Sequence, residues 1–269
     1  MSLAIANHHT YLGQFVEALY QARNINEAFS AFEQHVIKLG FEGALYTFIP
    51  RISLDTNFPH APVYLVSENY SPKYLDHYMD ACFYQHDPAI KAIEKGELTP
   101  FDWWEEIHKG KMNKVEQGTI VTAREDYQIM HGITIPTMSD NRGIAGASFI
   151  SSENDRLYGK LKAVNLEQLQ LCTQLFHSAV LSKSFLVNPF IQPLIEKLTT
   201  KEKGLLRGLS AGKSMKTIAL ELETEVRYLD KVLRHTREKF SEVELNGQAK
   251  INKNQLVYYM GLLNLLDHL

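Results

Sequence analysis

A helix-forming stretch with a basic face lies near the C-terminus and carries residues with a definite binding chemistry. Residues 225–240 (EVRYLDKVLRHTREKF) contain neither Gly nor Pro, and a helical projection separates them into two faces. The apolar face consists of Val226, Leu229, Leu233, Thr236 and Phe240. The opposite face carries Arg227, Lys231 and Arg234, whose cations could bind DNA phosphates or base edges. The same pattern is also typical of a solvated helix face, so it does not establish DNA binding by itself.

A shorter helical segment precedes this stretch. Residues 214–222 (SMKTIALEL) can begin at Ser214 as the N-cap, and only Glu223 and Thr224 separate them from the next helix. Two helices joined by a tight turn, the second with an exposed basic face, are the layout of a helix-turn-helix. A helix about 10–12 Å across fits a major groove about 12 Å wide. The two segments therefore predict a DNA-binding motif.

Patterns of catalytic and metal-binding residues are absent from the sequence. His86, Asp87 and Ser148 are residue types found in hydrolytic sites, but no G-x-S-x-G motif accompanies them. The H-E-x-x-H spacing is missing, and Cys82 and Cys172 form no C-x-x-C pair. We therefore expect that the protein is not an enzyme and that it holds no metal.

The charge of the chain is unevenly distributed. The whole sequence has a net charge of −3, yet residues 195–240 hold eleven basic and seven acidic side chains, which leaves the remainder at −7. A basic module on an acidic body fits a small DNA-binding domain joined to a regulatory domain. Pro189 and Pro193 mark a change of composition between the two parts. We predict a ligand-binding domain over residues 1–185, a linker over residues 186–197 and a DNA-binding domain over residues 198–269.

Membrane and secretion signals are also missing. No apolar run approaches the roughly 18 residues that a membrane span needs. His8 and His9 stand where a signal peptide would have its apolar core, and two cysteines are too few for a disulfide framework. We therefore expect a cytoplasmic protein without a membrane partner.

The hydrophobic periodicity predicts a mixed first domain and a helical second one. Helices are predicted over residues 10–23, 27–39, 70–83, 88–95, 114–130, 157–186 and 253–266. Strands are predicted over residues 41–50, 61–66, 133–138 and 144–151, and loops over residues 51–60 and 100–106. We expect an α+β N-terminal domain, with an antiparallel sheet sandwiched by helices, joined to an all-α helix-turn-helix domain.

The motifs of both domains resemble those of one family. The signature of the LuxR-type helix-turn-helix resembles this sequence at five places without gaps. They are LTTKE at residues 198–202, GKS at 212–214, IA at 218–219, Leu229, and KF at 239–240. The N-terminal part is similar to the autoinducer-binding domain of the same regulators, whose pocket carries W-Y-D-P-W-G. The matching positions here are Tyr74, Tyr78, Asp87, Pro88, Trp103 and Gly132, with further matches at Tyr70, Thr134, Pro136 and Ser148. The resemblance spans nearly the whole chain and implies a LuxR-family quorum-sensing transcriptional regulator.

The resemblance implies an acyl homoserine lactone as the signal and no other cofactor. Such a ligand has one amide N–H and two carbonyl oxygens, and a polar group buried without a partner costs about 1–3 kcal/mol. By the family's arrangement Asp87 would accept from the amide, Tyr70 and Ser148 would serve the acyl carbonyl, and Tyr74 the ring carbonyl. The implied ligand-binding residues are Tyr70, Tyr74, Tyr78, Asp87, Trp103, Gly132, Thr134 and Ser148. Asp87-Pro88 is also a good helix start, so a capping role for Asp87 stays open.

The resemblance also implies double-stranded DNA as a partner and a homodimer. The expected DNA-binding residues are Thr200, Lys213, Lys216, Arg227, Tyr228, Lys231, Arg234 and Lys239. The apolar final helix would either supply a dimer contact or pack within its own helical unit. A two-fold dimer would suit a palindromic operator.

Departures from the family pattern keep two alternatives open. Tyr74 replaces the family's tryptophan, and Ala89 removes a hydroxyl near the ligand amide. In the second domain Thr217 replaces a glutamate, while Val226 and Val232 stand at positions where polar contacts are common. The first alternative is a receptor for a non-lactone signal. The second is a regulator that heterodimerises with another LuxR-type protein and blocks it.

Overall fold

A five-stranded antiparallel sheet organises the N-terminal part of the protein. The computed structural model describes residues 2–56, 61–240 and 251–263, with side chains from residue 11 onward. Within these residues the strands lie in the order β2-β1-β5-β4-β3. Their bounds are Gly43–Pro50 for β1, Tyr64–Val66 for β2, Phe101–Asp102 for β3, His131–Asp140 for β4 and Gly143–Ser151 for β5. Leu45 pairs with Val66 across β1 and β2, and Phe101 pairs with Thr134 across β3 and β4.

Among the described residues up to Ser182, eight α-helices accompany these strands. They are α1 (Ser2–Gln21), α2 (Ile25–Lys38), α3 (Arg51–Asp55), α4 (Pro72–Asp80), α5 (Pro88–Glu94), α6 (Trp103–His108), α7 (Lys114–Tyr127) and α8 (Asp155–Ser182). None of the helices in the part of the chain that the structure describes is long and apolar enough to cross a membrane.

The sheet separates two layers of helices because neighbouring side chains of a strand point to opposite faces. In β4, His131 stacks on Tyr158 of α8 with ring centroids 4.1 Å apart. The next residue, Gly132, lies against the indole of Trp103 in α6. Helices α1, α2 and α8 therefore cover one face, and α4 to α7 cover the other. The predicted α+β architecture with a sheet between helices is confirmed.

An aromatic core fills the layer between the sheet and helices α2 and α8. The rings of Phe32 and Phe176 stack with centroids 4.6 Å apart, and Phe149 of β5 meets Phe32 edge-on at 5.9 Å. Tyr46 of β1 meets Phe176 edge-on, and its hydroxyl lies 2.8 Å from Nδ1 of His177. Side chains on this face of the sheet therefore form the core, and the other face carries the polar groups of strands β4 and β5.

The C-terminal part is helical, and five helices lie among its described residues. They are α9 (Ser184–Glu196), α10 (Thr200–Ser210), α11 (Met215–Glu221), α12 (Val226–Phe240) and α13 (Lys253–Leu262). By compactness the chain falls into two units, and the second contains residues 188–269 with two short segments, Ile49–Pro62 and Asn141–Gly143. The core of this unit contains Leu205, Leu209, Ile218, Ala219, Leu229 and Val232.

The helix-turn-helix has the predicted local structure. Ser214 caps α11 by accepting the N–H of Thr217 at 3.1 Å, as expected. Glu223 then adopts a left-handed conformation (φ 49°), which turns the chain within four residues into α12. Gly208 of α10 lets α11 approach, because a Cβ there would lie 2.6 Å from the side chain of Ile218.

The face of α12 that packs inward differs from the prediction at two valines. Leu229, Thr236 and Phe240 are buried as expected, but Val226 stands at the first turn and is 37% exposed. Val232, which the family comparison placed at a polar position, is buried in the core instead. The boundary of the apolar face is therefore shifted toward Val232.

The segment predicted as the linker, residues 186–197, is mostly helical. Most of it belongs to α9, although Pro189 and Pro193 lie inside that helix. Leu186, Phe190, Ile191, Leu194 and Ile195 are all buried, at the spacing of one helix face. Burial of this face outweighs the backbone hydrogen bonds that the prolines remove.

Smaller corrections concern helix ends and loops. Helix α2 begins at Ile25, two residues before its predicted start, and Asn24 caps it by accepting the N–H of Glu27 at 2.9 Å. Helix α7 ends at Tyr127, where Gln128 takes a left-handed conformation, and Gly132 belongs to β4. The segments predicted as loops over residues 51–60 and 100–106 contain α3, β3 and the start of α6.

The final helix packs within its own helical unit as far as the structure describes it. Leu256 and Met260 of α13 are fully buried, and Tyr259 is nearly so. Helix α13 contacts α10 and α12. Leu265 and Leu266, which belonged to the predicted dimer contact, lie outside the described residues.

A capping box with a partly buried ion pair joins α10 to α12. Glu202 accepts the backbone N–H of Thr199 at 2.7 Å, and Thr199 accepts the N–H of Glu202 at 3.3 Å. Nζ of Lys239 lies 2.6 Å from the Glu202 carboxylate. Burial alone would raise the pKa of Glu202, yet the hydrogen bonds from Lys239 and Thr199 hold the pKa below its ordinary value.

We expect Thr199→Ala to lower the free energy of unfolding by about 1 kcal/mol, because it removes the oxygen that caps α10. Urea denaturation of the full chain, followed by circular dichroism, measures this change. Thr200→Ala is the matched control, since Thr200 is exposed at the first position of the helix. Equal stability of the two variants would show that the capping box does not stabilise this unit.

Candidate functional site

The carboxylate of Asp87 is the centre of the candidate site, on the sheet face covered by α4 to α7. Asp87 caps α5, since Oδ1 accepts the backbone N–H groups of Ala89 (2.7 Å) and Ile90 (3.3 Å). Oδ2 accepts the hydroxyl of Tyr78 at 2.8 Å. Burial raises the pKa of Asp87, while these hydrogen bonds and the charge of Lys91 partly oppose the rise. Asp87 therefore caps α5 and is also the central residue of the candidate site.

Three tyrosines follow one another on the wall formed by α4 and the turn before it. Ser71 caps α4. Tyr74 and Tyr78 are one helical turn apart in α4, so they lie on the same face of the helix, with ring centroids 6.0 Å apart. Tyr70 lies 6.4 Å from Tyr74 by ring centroids, and all three rings are buried. The hydroxyl of Tyr74 donates to the backbone carbonyl of Thr119 in α7 at 3.3 Å. This contact joins the two helices of the wall.

A chain of polar groups lies along β4 and β5. Nε1 of Trp103 donates to Oγ1 of Thr134 at 3.0 Å, and that oxygen lies 2.9 Å from Oγ of Ser148. Ser148 is half-buried in a strand whose other residues are buried. A Cβ at Gly132 would lie 2.3 Å from the indole of Trp103, so only glycine leaves room for the ring in this position.

The eight residues that the sequence assigned to the ligand all lie on elements of this one side of the sheet. Five of them form two hydrogen-bonded groups, Tyr78 with Asp87 and Thr134 with Trp103 and Ser148. Sequence reasoning missed Tyr64 of β2, whose ring meets Tyr78 edge-on with centroids 5.9 Å apart. The strand was predicted, but nothing in its pattern distinguishes Tyr64 from its neighbours.

The predicted DNA-binding residues lie on α10, α11 and α12, except Lys213, which lies in the turn before α11. Arg227 and Lys231 are exposed on α12, and Lys216 is exposed on α11. Thr200 is exposed at the first position of α10. The basic face of the second helix in the motif is therefore accessible to solvent, as predicted.

Other predicted residues of this surface have partners within the protein. Nζ of Lys213 lies 2.6 Å from the carboxylate of Glu221, and the ammonium of Lys201 lies 4.9 Å above the ring of Tyr228. These groups are exposed, so the contacts are weak and can be exchanged for contacts with a ligand.

Lys239 and Arg234 differ in how strongly they are held. Besides Glu202, Lys239 donates to the carbonyl of Lys197 at 2.6 Å, which gives it a packing role that the sequence did not indicate. Arg234 is exposed and lies 3.7 Å from Glu238, one helical turn further along. Arg234 can therefore turn toward a phosphate at small cost, whereas Lys239 cannot.

Two solved structures share the fold of this chain. A crystal structure of Escherichia coli SdiA matches with a TM-score of 0.54 and 18% sequence identity, over 97% of this chain and 98% of that one. A structure of SdiA in complex with octanoyl-rac-glycerol matches with a TM-score of 0.55 and 16% identity, over 96% of each chain. No curated protein matches the sequence.

The sequence also matches a protein-family model, which identifies the family of the chain. The autoinducer binding domain matches residues 24–180, which is more than half of the chain and includes every residue of the candidate pocket. Members of this family are signal-binding regulators and not enzymes. The chain therefore belongs to the LuxR family of quorum-sensing regulators.

Proposed function

We propose that this protein is a transcription factor that binds an N-acyl homoserine lactone at Asp87 and operator DNA through α12. The observation that carries the proposal is a half-buried carboxylate, hydrogen-bonded to one of three buried tyrosines, inside a domain of a signal-binding family. The division proposed is a ligand domain over residues 1–185 and a DNA-binding domain over residues 198–269, joined through residues 186–197. No metal or cofactor besides the signal takes part.

The polar groups of the pocket fit the amide and acyl carbonyl of such a lactone. Oδ2 of Asp87 accepts from Tyr78, and a carboxylate oxygen can accept a second hydrogen bond, here from the ligand amide. If Thr134 donates to Ser148, the hydroxyl hydrogen of Ser148 is available for the acyl carbonyl. The ring of Trp103 and the tyrosine rings then provide the apolar wall that small-ligand sites usually have.

The charge of the second domain supports DNA as its partner. Arg227, Lys231 and Arg234 are exposed on the helix that would enter the major groove, and Lys216 is exposed on the preceding helix. Phosphate contacts from such residues provide most of the non-specific affinity for DNA. The protein would act in the cytoplasm, where DNA and a diffusible signal are both accessible.

An exposed apolar stripe on α8 supports a homodimer. Leu157, Val164 and Leu171 recur every seven residues and are 43%, 74% and 45% exposed. A seven-residue repeat places side chains along one line of a helix, which suits pairing with the same line on a second copy. The described part of the final helix is buried in its own unit, so α8 is the better candidate for the dimer contact.

A non-lactone signal is the second candidate, and one observation favours it. The hydroxyl of Tyr74 donates to Thr119 and is not available for a lactone ring carbonyl in this structure. The similar fold of SdiA has been solved with octanoyl-rac-glycerol, which has hydroxyl groups where a lactone has a ring. A monoacylglycerol therefore belongs in any test of the ligand.

We expect one N-acyl homoserine lactone to raise the melting temperature of the full-length protein, and Asp87→Asn to abolish the shift. A panel of lactones that differ in chain length and in oxidation at C3 should be measured beside 1-octanoyl-rac-glycerol. A ligand at about a hundred times its dissociation constant adds about 2.7 kcal/mol to the stability. Asp76→Asn is the control, since Asp76 is exposed on α4. If only the monoacylglycerol shifts the protein, the second candidate holds; if no compound does, the ligand proposal is wrong.

The pH dependence follows from the same carboxylate. Because the folded-state pKa of Asp87 is raised by burial, its contribution to stability is present below the usual aspartate range and is lost as the pH rises through the raised pKa. Asp87→Asn keeps a side chain that caps helices. The ligand-free variant should therefore be at least as stable as the wild type at neutral pH, and melting curves from pH 4 to 8 test this.

We expect Arg227→Ala and Lys231→Ala each to weaken DNA binding and to reduce its salt dependence. Each lost phosphate contact lowers the slope of log affinity against log salt by about one. Fluorescence anisotropy with duplex DNA of mixed sequence, in the presence of the stabilising ligand, measures both quantities. Lys73→Ala is the control, because Lys73 is exposed on α4 of the other domain. Absence of any salt-dependent binding by the wild type would favour the blocking heterodimer instead.

We expect Val164→Lys to shift the protein from dimer to monomer in sedimentation velocity, because the substitution puts a charge at the centre of the apolar stripe. Val115→Lys is the matched control, since Val115 is 60% exposed on α7 and outside the stripe. If both variants sediment as dimers, the dimer contact lies elsewhere.

A further inference from the structure

One buried hydroxyl of the pocket is unused. Tyr64 pairs with Thr47 of β1 at the start of β2, and its ring meets Tyr78 edge-on. Its hydroxyl oxygen is shielded from solvent and makes no hydrogen bond of ordinary geometry among the residues that the structure describes, although the hydroxyl of Tyr78 is close enough to act on it. A buried hydroxyl without a partner destabilises a protein, so such groups are expected to be satisfied in the working state.

The hydroxyl of Tyr64 belongs to the polar group around Asp87. The ring of Tyr64 meets that of Tyr78, whose hydroxyl donates to Asp87 at 2.8 Å, so Tyr64 is a neighbour of the residue that contacts the carboxylate. The pKa of Tyr64 reflects the same surroundings: burial raises it most, a hydrogen-bonding contact with Tyr78 lowers it, and the charge of Asp87 raises it.

The other donors of the site already have partners within the protein. The hydroxyl of Tyr74 donates to the carbonyl of Thr119, and that of Tyr78 donates to Asp87. The indole of Trp103 donates to Thr134. A ligand oxygen near Asp87 therefore gains a hydrogen bond from Tyr64 without breaking one, whereas the donors of these three residues would first have to leave their partners.

We propose that Tyr64 is a ligand-binding residue, whose hydroxyl donates to a carbonyl or hydroxyl oxygen in the polar head of the signal beside Asp87. This inference rests on the proposed function, namely that the Asp87 pocket binds a small acylated signal. The carboxylate then accepts from the head and Tyr64 donates to it. Heads that present both a donor and an acceptor are selected over simple fatty acids and alkanes.

The substitution Tyr64→Phe tests this directly, because it removes only the oxygen. The hydroxyl has no partner in the free protein, so the melting temperature without ligand should equal or exceed that of the wild type. The affinity for the ligand should fall by about tenfold, since an acceptor of the ligand head loses its donor. Tyr78→Phe is the contrasting variant, because it removes a hydroxyl that Asp87 does use, and it should lower the melting temperature of the free protein.

The measurement uses the full-length protein with N-octanoyl-L-homoserine lactone and 1-octanoyl-rac-glycerol as probes, in titration calorimetry and thermal unfolding. Weaker binding of the probe that the wild type prefers, with an undiminished melting temperature of free Tyr64→Phe, supports the proposal. Equal affinity of wild type and Tyr64→Phe overturns it and leaves the proposed function standing. A melting temperature reduced as far as in Tyr78→Phe also overturns it, because the hydroxyl would then have a partner inside the protein. If neither probe binds the wild type, the proposed function fails and this inference fails with it.

Discussion

The carboxylate of Asp87 is the interaction on which this side of the N-terminal domain depends. A charge partly removed from water is tolerated where hydrogen-bond donors surround it, and here two backbone N–H groups of α5 and the hydroxyl of Tyr78 do so. The two backbone contacts cap α5, and the contact with Tyr78 joins α5 to α4. The same oxygen that accepts from Tyr78 has a remaining lone pair, and this is the position at which we propose that a signal binds.

Side chains alternate between the two faces of the sheet, so one face packs the core while the other carries polar groups. On one face, Phe149 and Tyr46 pack against aromatic rings of α2 and α8 and form a core without a place for a ligand. On the other, Thr134 and Ser148 present hydroxyl groups, and Gly132 leaves room for an indole. A domain of this size can therefore hold a polar pocket without weakening its core, because the two are built from alternate residues of the same strands.

The features predictable from sequence were those that nearby residues determine. Ser214 as a cap, Asp87 as a helix start and the exposed basic face of α12 all follow from patterns within one helix. The family resemblance indicated candidate ligand-binding residues, which lie on one side of the sheet. The features that sequence did not reveal depend on partners far along the chain. The hydroxyl of Tyr74 bonds to Thr119, 45 residues away. Burial of one face keeps α9 helical despite its prolines, and no local pattern reports which residues will cover that face.

The ion pair between Lys239 and Glu202 has a consequence for how a signal could reach DNA. It ties the end of α12, the helix that we propose enters DNA, to the start of α10. Tilting α12 within its unit would break that contact and expose Leu229 and Val232. Helix α12 is therefore a fixed part of its helical unit. If a bound signal controls DNA binding, it would have to act on the unit as a whole or on the spacing of two copies, and not on the shape of the helix itself.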